Sequence, residues 1–280
     1  MTATTPNPAP VPATLPAYLL SQRVTQARVL RSEWTKLRTQ LSTFWALLAT
    51  MILITGFGIG YSLLREARPP HGAAAIASFD PAAVSLSGMQ LAQIAAGVLG
   101  VLLITSEYAT GLIRTTIAAV PRRLPVLWGK AALVVAATVA ASLPAAFAAF
   151  LAGQSILARR HLSVPLSQPG VARAVIGSAL YLAVAGLLGL GLGALLRSTA
   201  AGIAALFGLL FAVPLVAGFL PGSWADDVSR YLPAQAGQAV TTVHPDPTTS
   251  LAPWTGFGVF CAYAAILLGL AALRVRRGDV

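Results

Sequence analysis

Apolar residues fill this chain in long unbroken blocks, and the polar residues gather between them. Six stretches of more than 20 residues hold no Asp, Glu, Lys or Arg: Thr39–Leu64, Pro81–Ser106, Ala131–Ala158, Ala174–Leu196, Ser198–Ala225 and Pro247–Leu273. A helix needs roughly 20 mostly apolar residues to cross about 30 Å of hydrocarbon. Inside lipid, only helices and closed barrels satisfy every backbone N–H and C=O. The runs are continuous rather than alternating, which excludes barrel strands. They predict an all-α integral membrane protein with six transmembrane helices, over about 42–64, 83–106, 131–157, 174–196, 199–220 and 251–273.

Ahead of the first run the pattern changes twice. Residues 1–22 are rich in Pro, Ala and Thr and carry no charged side chain. No basic segment precedes an apolar core there, so this is read as a disordered cytoplasmic tail, not a secretory signal. Residues 23–41 become helical in pattern. Leu30, Trp34, Leu37 and Leu41 recur at helical spacing, with Arg28 and Lys36 largely on the other side. Such a helix lies in the membrane interface, its basic face towards lipid headgroups.

Charge gives the runs a direction. With the N-terminus inside and all six runs spanning, the inner segments hold Arg23, Arg28, Arg31, Lys36, Arg38, Arg114, Arg122, Arg123, Lys130, Arg197, Arg274, Arg276 and Arg277. The outer loops hold Arg65, Arg68, Arg159, Arg160, Arg173 and Arg230. With acids counted, the inner side carries +10 and the outer +1, of a formal +11. The positive-inside rule then places both termini in the cytoplasm of a multi-pass protein of the cell membrane. The basic balance follows from topology and anionic lipid and requires no nucleic acid. Cys261 is the single cysteine, so an intrachain disulfide and a cysteine-based metal site are both excluded.

The segment between the second and third runs is the richest in pattern. Glu107 stands at its start and Lys130 at its end, with Gly111, Leu112, Ile113, Arg114, Ile117, Pro121, Arg122 and Arg123 between. Ile113, Ile117 and Val120 share one helical face, and Pro121 ends the segment. A short amphipathic helix is expected, with an apolar face that needs inner lipid or a protein to cover it. Glu107, Gly111, Arg114, Pro121, Arg123 and Lys130 fit the pattern E-x-x-x-G-x-x-R…P-x-R…K. Together with Arg31-Ser-Glu-Trp-Thr-Lys-Leu-Arg-Thr39 before the first run and Tyr231-Leu-Pro-Ala-Gln-Ala-Gly237 in the last outer loop, this pattern resembles permease subunits of ABC type-2 transporters of the actinobacterial sort. The resemblance extends from Arg28 to Arg277.

That resemblance implies a permease domain over 42–277, a coupling helix at Gly111–Val120 that docks on a separate ABC ATPase, and Glu107 at its hinge. Arg114, Arg122 and Arg123 would reach acids on that partner. Arg31, Glu33, Trp34 and Lys36 would belong to an elbow helix at the same interface. Tyr231, Pro233 and Gly237 would shape the outer loop, the last two through turn geometry. It further implies a second permease subunit, identical or related, and export as the direction. The chain itself carries no nucleotide motif: Gly129-Lys130 is followed by Ala131, not Ser or Thr. It is therefore expected to bind no cofactor and to be no enzyme, with ATP and Mg held by the partner.

Two other classes compete. An ion-coupled carrier usually places ionisable groups near the bilayer midplane, and all six runs are empty of ionised side chains. A membrane enzyme would draw on His71, His161, His244, Asp80, Asp226, Asp227 or Asp246, of which His244-Pro-Asp246 is the nearest approach to an acid–base pair. No H-E-x-x-H, nucleophile elbow or metal spacing supports it. Within the runs, Gly56-x-x-x-Gly60 and Gly189-x-x-x-Gly193 allow close helix approach. Both spacings suit packing inside one subunit or a seam between two. Gln90, Gln93, Gln154 and Ser155 either line a path or bond neighbouring helices.

Overall fold

The computed structural model describes residues 34–35, 40–72, 75, 79–109, 124–219, 227–244 and 250–277. Nine α-helices are labelled here within them: α1 (Leu41–Ala67), α2 (Pro81–Ser85), α3 (Met89–Ala109), α4 (Leu124–Leu157), α5 (Val171–Leu196), α6 (Thr199–Phe207), α7 (Val213–Ala217), α8 (Pro233–Gln238) and α9 (Pro253–Arg277). No strand occurs among the described residues. Six of the helical stretches there are long and apolar enough to cross a membrane: α1, α3, α4, α5, the continuous α6–α7 stretch and α9. The protein is an all-α, multi-pass membrane protein. The expected tail at 1–22, nearly all of the expected interfacial helix and the expected coupling helix lie outside the described residues. Of the interfacial segment, Trp34 is seen as helical and exposed.

α5 forms the axis of the bundle. In its most apolar window 78% of residues are buried, against 22% for α1 and 22% for α6–α7. The reason is a crossing built on absent side chains. A Cβ on Gly189 of α5 would collide with the Gly97 carbonyl of α3, and one on Gly100 of α3 would collide with the Gly186 carbonyl of α5. The two backbones approach closely at both places, the small-residue packing that substitutes for hydrophobic driving force in lipid. Gly193 likewise lies against Val101 and Ile104 of α3. The other spacing behaves differently. Gly56 and Gly60 of α1 meet nothing within 4 Å, while Gly58 between them fits against the Ser85 carbonyl and Ala149. One of the two sequence spacings therefore packs the core and the other faces outward.

The helix ends are set by local chemistry. Pro81 opens α2, and Asp80 Oδ1 accepts the N–H groups of Ala82 and Ala83 at 2.9 and 3.0 Å. α5 ends on Arg197 at φ 55°, whose N–H donates to the Gly193 carbonyl at 2.9 Å, and Ser198 then caps α6. The fifth span is interrupted: Gly208–Ala212 forms a π turn between α6 and α7. Pro214 lies in the first turn of α7. Proline cannot donate to the carbonyl four residues back and its ring crowds that turn, so the ladder widens, with Val213 N–H reaching Gly208 O. Pro144 sits inside α4 without breaking it.

α4 begins at Leu124, earlier than the charge-free run implies, and so contains Lys130. Trp45 and Trp128 stand exposed near one end of the bundle and Trp254 near the other, as interfacial aromatics do. The described residues of the stretch before α9 are helical in part. α8 and the 3-10 turn Ala239–Thr241 bury Ala234, Ala236 and Val240 against α5 and α9.

Candidate functional site

Two charged side chains are buried together where α3 ends and α4 begins. Glu107 lies in the last turns of α3 and is 5% exposed; Lys130 lies in the second turn of α4 and is 1% exposed. Lys130 Nζ donates to Glu107 Oε1 at 2.9 Å and reaches the Leu103 carbonyl at 3.5 Å. An isolated buried charge costs several kcal/mol, which explains why the two occur as a pair. The pair also explains how α4 can carry a Lys so far inside. Two further ion pairs, Arg159–Glu66 and Arg230–Asp227, involve exposed side chains and contribute little.

The same end of the bundle is tied at several other points. Thr199 Oγ1 at the start of α6 donates to Thr105 Oγ1 of α3 at 2.8 Å. Arg197 lies over the Tyr108 ring, 5.6 Å from its centroid. From α9, Arg274 donates to the Leu195 carbonyl. The chain that leaves α3 and returns as α4 is thus anchored on both sides by a packed, cross-linked platform. Gly111, Leu112, Ile113, Arg114, Ile117, Pro121, Arg122 and Arg123 fall between those anchors, outside the described residues, as do Arg31, Glu33 and Lys36.

At the opposite end the ties through Gln154, Gln93 and Tyr181 are neutral. Gln154 of α4 donates from Nε2 to the Pro81 carbonyl and to Ser85 Oγ, both at 2.9 Å, and accepts the Val164 N–H on Oε1 at 2.8 Å. Tyr181 of α5 donates its hydroxyl to Gln93 Oε1, and Gln93 Nε2 donates to the Gln90 carbonyl at 2.8 Å. Gln90 in turn reaches Gln238 of α8 at 3.4 Å. Ser155 bonds within its own helix, to the Ala152 carbonyl at 2.7 Å. Gln90, Gln93 and Gln154 therefore bond neighbouring elements, whereas Ser155 bonds only its own helix.

The outer-loop trio divides. Tyr231 is exposed, its carbonyl accepting from Tyr263 at 3.3 Å, and Pro233 opens α8. Gly237 is not a turn residue. It lies inside α8, where a Cβ would come within 2.6 Å of Tyr181 and 2.7 Å of Phe260. Those two rings stack at 4.9 Å, and the missing side chain lets α8 lie directly on them. Sequence spacing could not show this, because the contact joins three distant segments.

A third feature lies along the side of the bundle. Between α1 and α3 runs an apolar groove of about 580 Å³, walled by Trp45, Ala49, Leu53 and Phe57 on one helix and Leu91 and Val98 on the other. No protein-family model matches the chain, and no curated protein does either.

Proposed function

We propose that this chain is the membrane-spanning permease subunit of an ATP-binding cassette exporter in the cell membrane, of the type-2 kind its motifs resemble. The observation that carries the reading is the buried Glu107–Lys130 pair. It ties α3 to α4 near where each helix meets the basic 110–123 segment, so a push on that segment would reach α3 and α4 together. α3 is also the helix that crosses α5 at paired glycines, so a tilt of α3 acts on the core of the bundle. The apolar groove beside α1 suits a hydrophobic cargo or a second permease subunit. Force would come from a separate ATPase, since Gly129-Lys130-Ala131 departs from a phosphate-binding loop. ATP and Mg would be held there, and this chain would perform no hydrolysis. Both termini would face the cytoplasm, with the pair at the inner surface.

Affinity purification of the tagged protein from its native membrane, under mild detergent, tests this. A stoichiometric P-loop ATPase should co-purify and be lost when residues 111–120 are scrambled. Reversing Arg114 to Glu should lower ATPase stimulation while leaving the protein in the membrane. A clean preparation with no ATPase would sink the proposal and return weight to an ion-coupled carrier.

A further inference from the structure

At the end of the bundle away from Glu107 and Lys130, three segments line a half-open pocket of about 230 Å³. They are Phe79–Ala82 leading into α2, the stretch from His161 to Val171 that joins α4 to α5, and Val243–His244 beyond α8. Each of the three is pinned. Gln154 bonds both Pro81 and Val164, which ties the first wall to the second. Asp80 holds the start of α2 through Oδ1. Arg173 of α5 donates to the Thr242 carbonyl at 2.7 Å, which holds the third wall. A cavity fixed in this way binds with little ordering cost.

Its lining has a definite chemistry. Asp80 supplies a carboxylate, and among the described residues no Lys or Arg lines the space. The helix N–H groups occupy Oδ1 of Asp80, and a carboxylate has about four acceptor positions, so Oδ2 remains for a donor. The imidazoles of His161 and His244 and the amide of Gln168 add further acceptors, and Phe79, Leu162 and Val171 form an apolar side. An anion would meet the Asp80 carboxylate, while the Arg173 guanidinium behind the third wall donates to the Thr242 and Val243 carbonyls. A metal ion is not favoured either, because among the described residues no three His, Cys, Asp or Glu side chains are placed to hold one.

We propose that this cavity binds a small amphipathic amine. Its ammonium sits at Asp80 Oδ2, within reach of the Phe79 ring, and its apolar body lies towards Leu162 and Val171. A cavity of about 150 Å³ accommodates benzene, so this one admits a ligand of roughly seven to ten non-hydrogen atoms. The inference is independent of the transporter reading, since it rests only on the loop end of the bundle.

Calorimetric titration of the full-length protein in nanodiscs with benzylamine, benzyl alcohol and zinc chloride tests it. Benzylamine should bind saturably and more tightly than benzyl alcohol, its neutral counterpart. Asp80→Asn keeps an oxygen to cap α2 but removes the charge, and should weaken benzylamine about tenfold, the loss of one charge-assisted hydrogen bond. The same change should leave benzyl alcohol unaffected. Should Asp80→Asn lower the melting temperature, Phe79→Leu, which makes no capping bond, must still weaken benzylamine. Absent saturable binding, equal affinity in Asp80→Asn or Phe79→Leu, or zinc binding in place of the amine would each overturn the proposal.

Discussion

The two ends of this bundle are held together by different chemistry. Where α3 meets α4, Lys130 and Glu107 are buried in contact as an ion pair, 2.9 Å apart. Where α4 meets α2 and the loop before α5, the ties are amides and hydroxyls, spread over Gln154, Ser85, Pro81 and Val164. A buried charge pair concentrates its effect in one bond and leaves a large penalty if either member is lost. A neutral network divides a smaller effect among several bonds, each worth about 1 kcal/mol. One end thus carries a buried ion pair beside its Thr199–Thr105 and Arg274–Leu195 ties, and the other is a distributed scaffold.

The contrast can be broken most severely at the charges. Glu107→Ala leaves Lys130 buried beside an alanine and should cost about 3–5 kcal/mol of stability, read from thermal denaturation in nanodiscs. Combining Glu107→Gln with Lys130→Met should restore most of that loss, since no charge then needs a partner. An equally unstable double variant would show that the charge itself is not the issue.

Gln154→Leu should cost less, about 2 kcal/mol, because it leaves the Val164 N–H and Pro81 carbonyl without their bonds but strands no charge. Its effect should appear as faster hydrogen exchange at Val164 while exchange near Glu107 is unchanged. Spread of the change to both ends would contradict the separation drawn here.

Smaller still is Tyr181→Phe, which keeps the stack on Phe260 and deletes one hydroxyl bond to Gln93. The expected loss is about 0.6 kcal/mol, typical of a single interhelical hydrogen bond in a membrane protein. A loss as large as that of Gln154→Leu would mean that the network is not distributed. Finally, Gly56→Ala should change stability by less than about 0.5 kcal/mol, since its Cβ meets nothing within 4 Å. Gly189→Ala, at the α3–α5 crossing, should prevent normal packing.

The amino-acid sequence by itself determined the class and the number of spans. Those follow from a local physical requirement: about 20 uncharged residues are needed per crossing, and charges and prolines interrupt the blocks. Asp80 before Pro81, Ser198 before α6 and Pro214 in the fifth span act on neighbours a few residues away, and such effects are legible in order. Within a span the pattern falls silent. A helix apolar on all sides offers no stripe to say which face meets which neighbour. So the tertiary structure alone decided that α5 is central and α1 peripheral, that Gly189 packs while Gly56 does not, and that Gly237 is a contact and not a turn. It also decided that Glu107 pairs with Lys130, and that Asp80, His161 and His244 line one cavity. Each of those depends on residues far apart in the chain meeting across a helix crossing. Close packing, set by the shapes of several helices at once, determines such meetings.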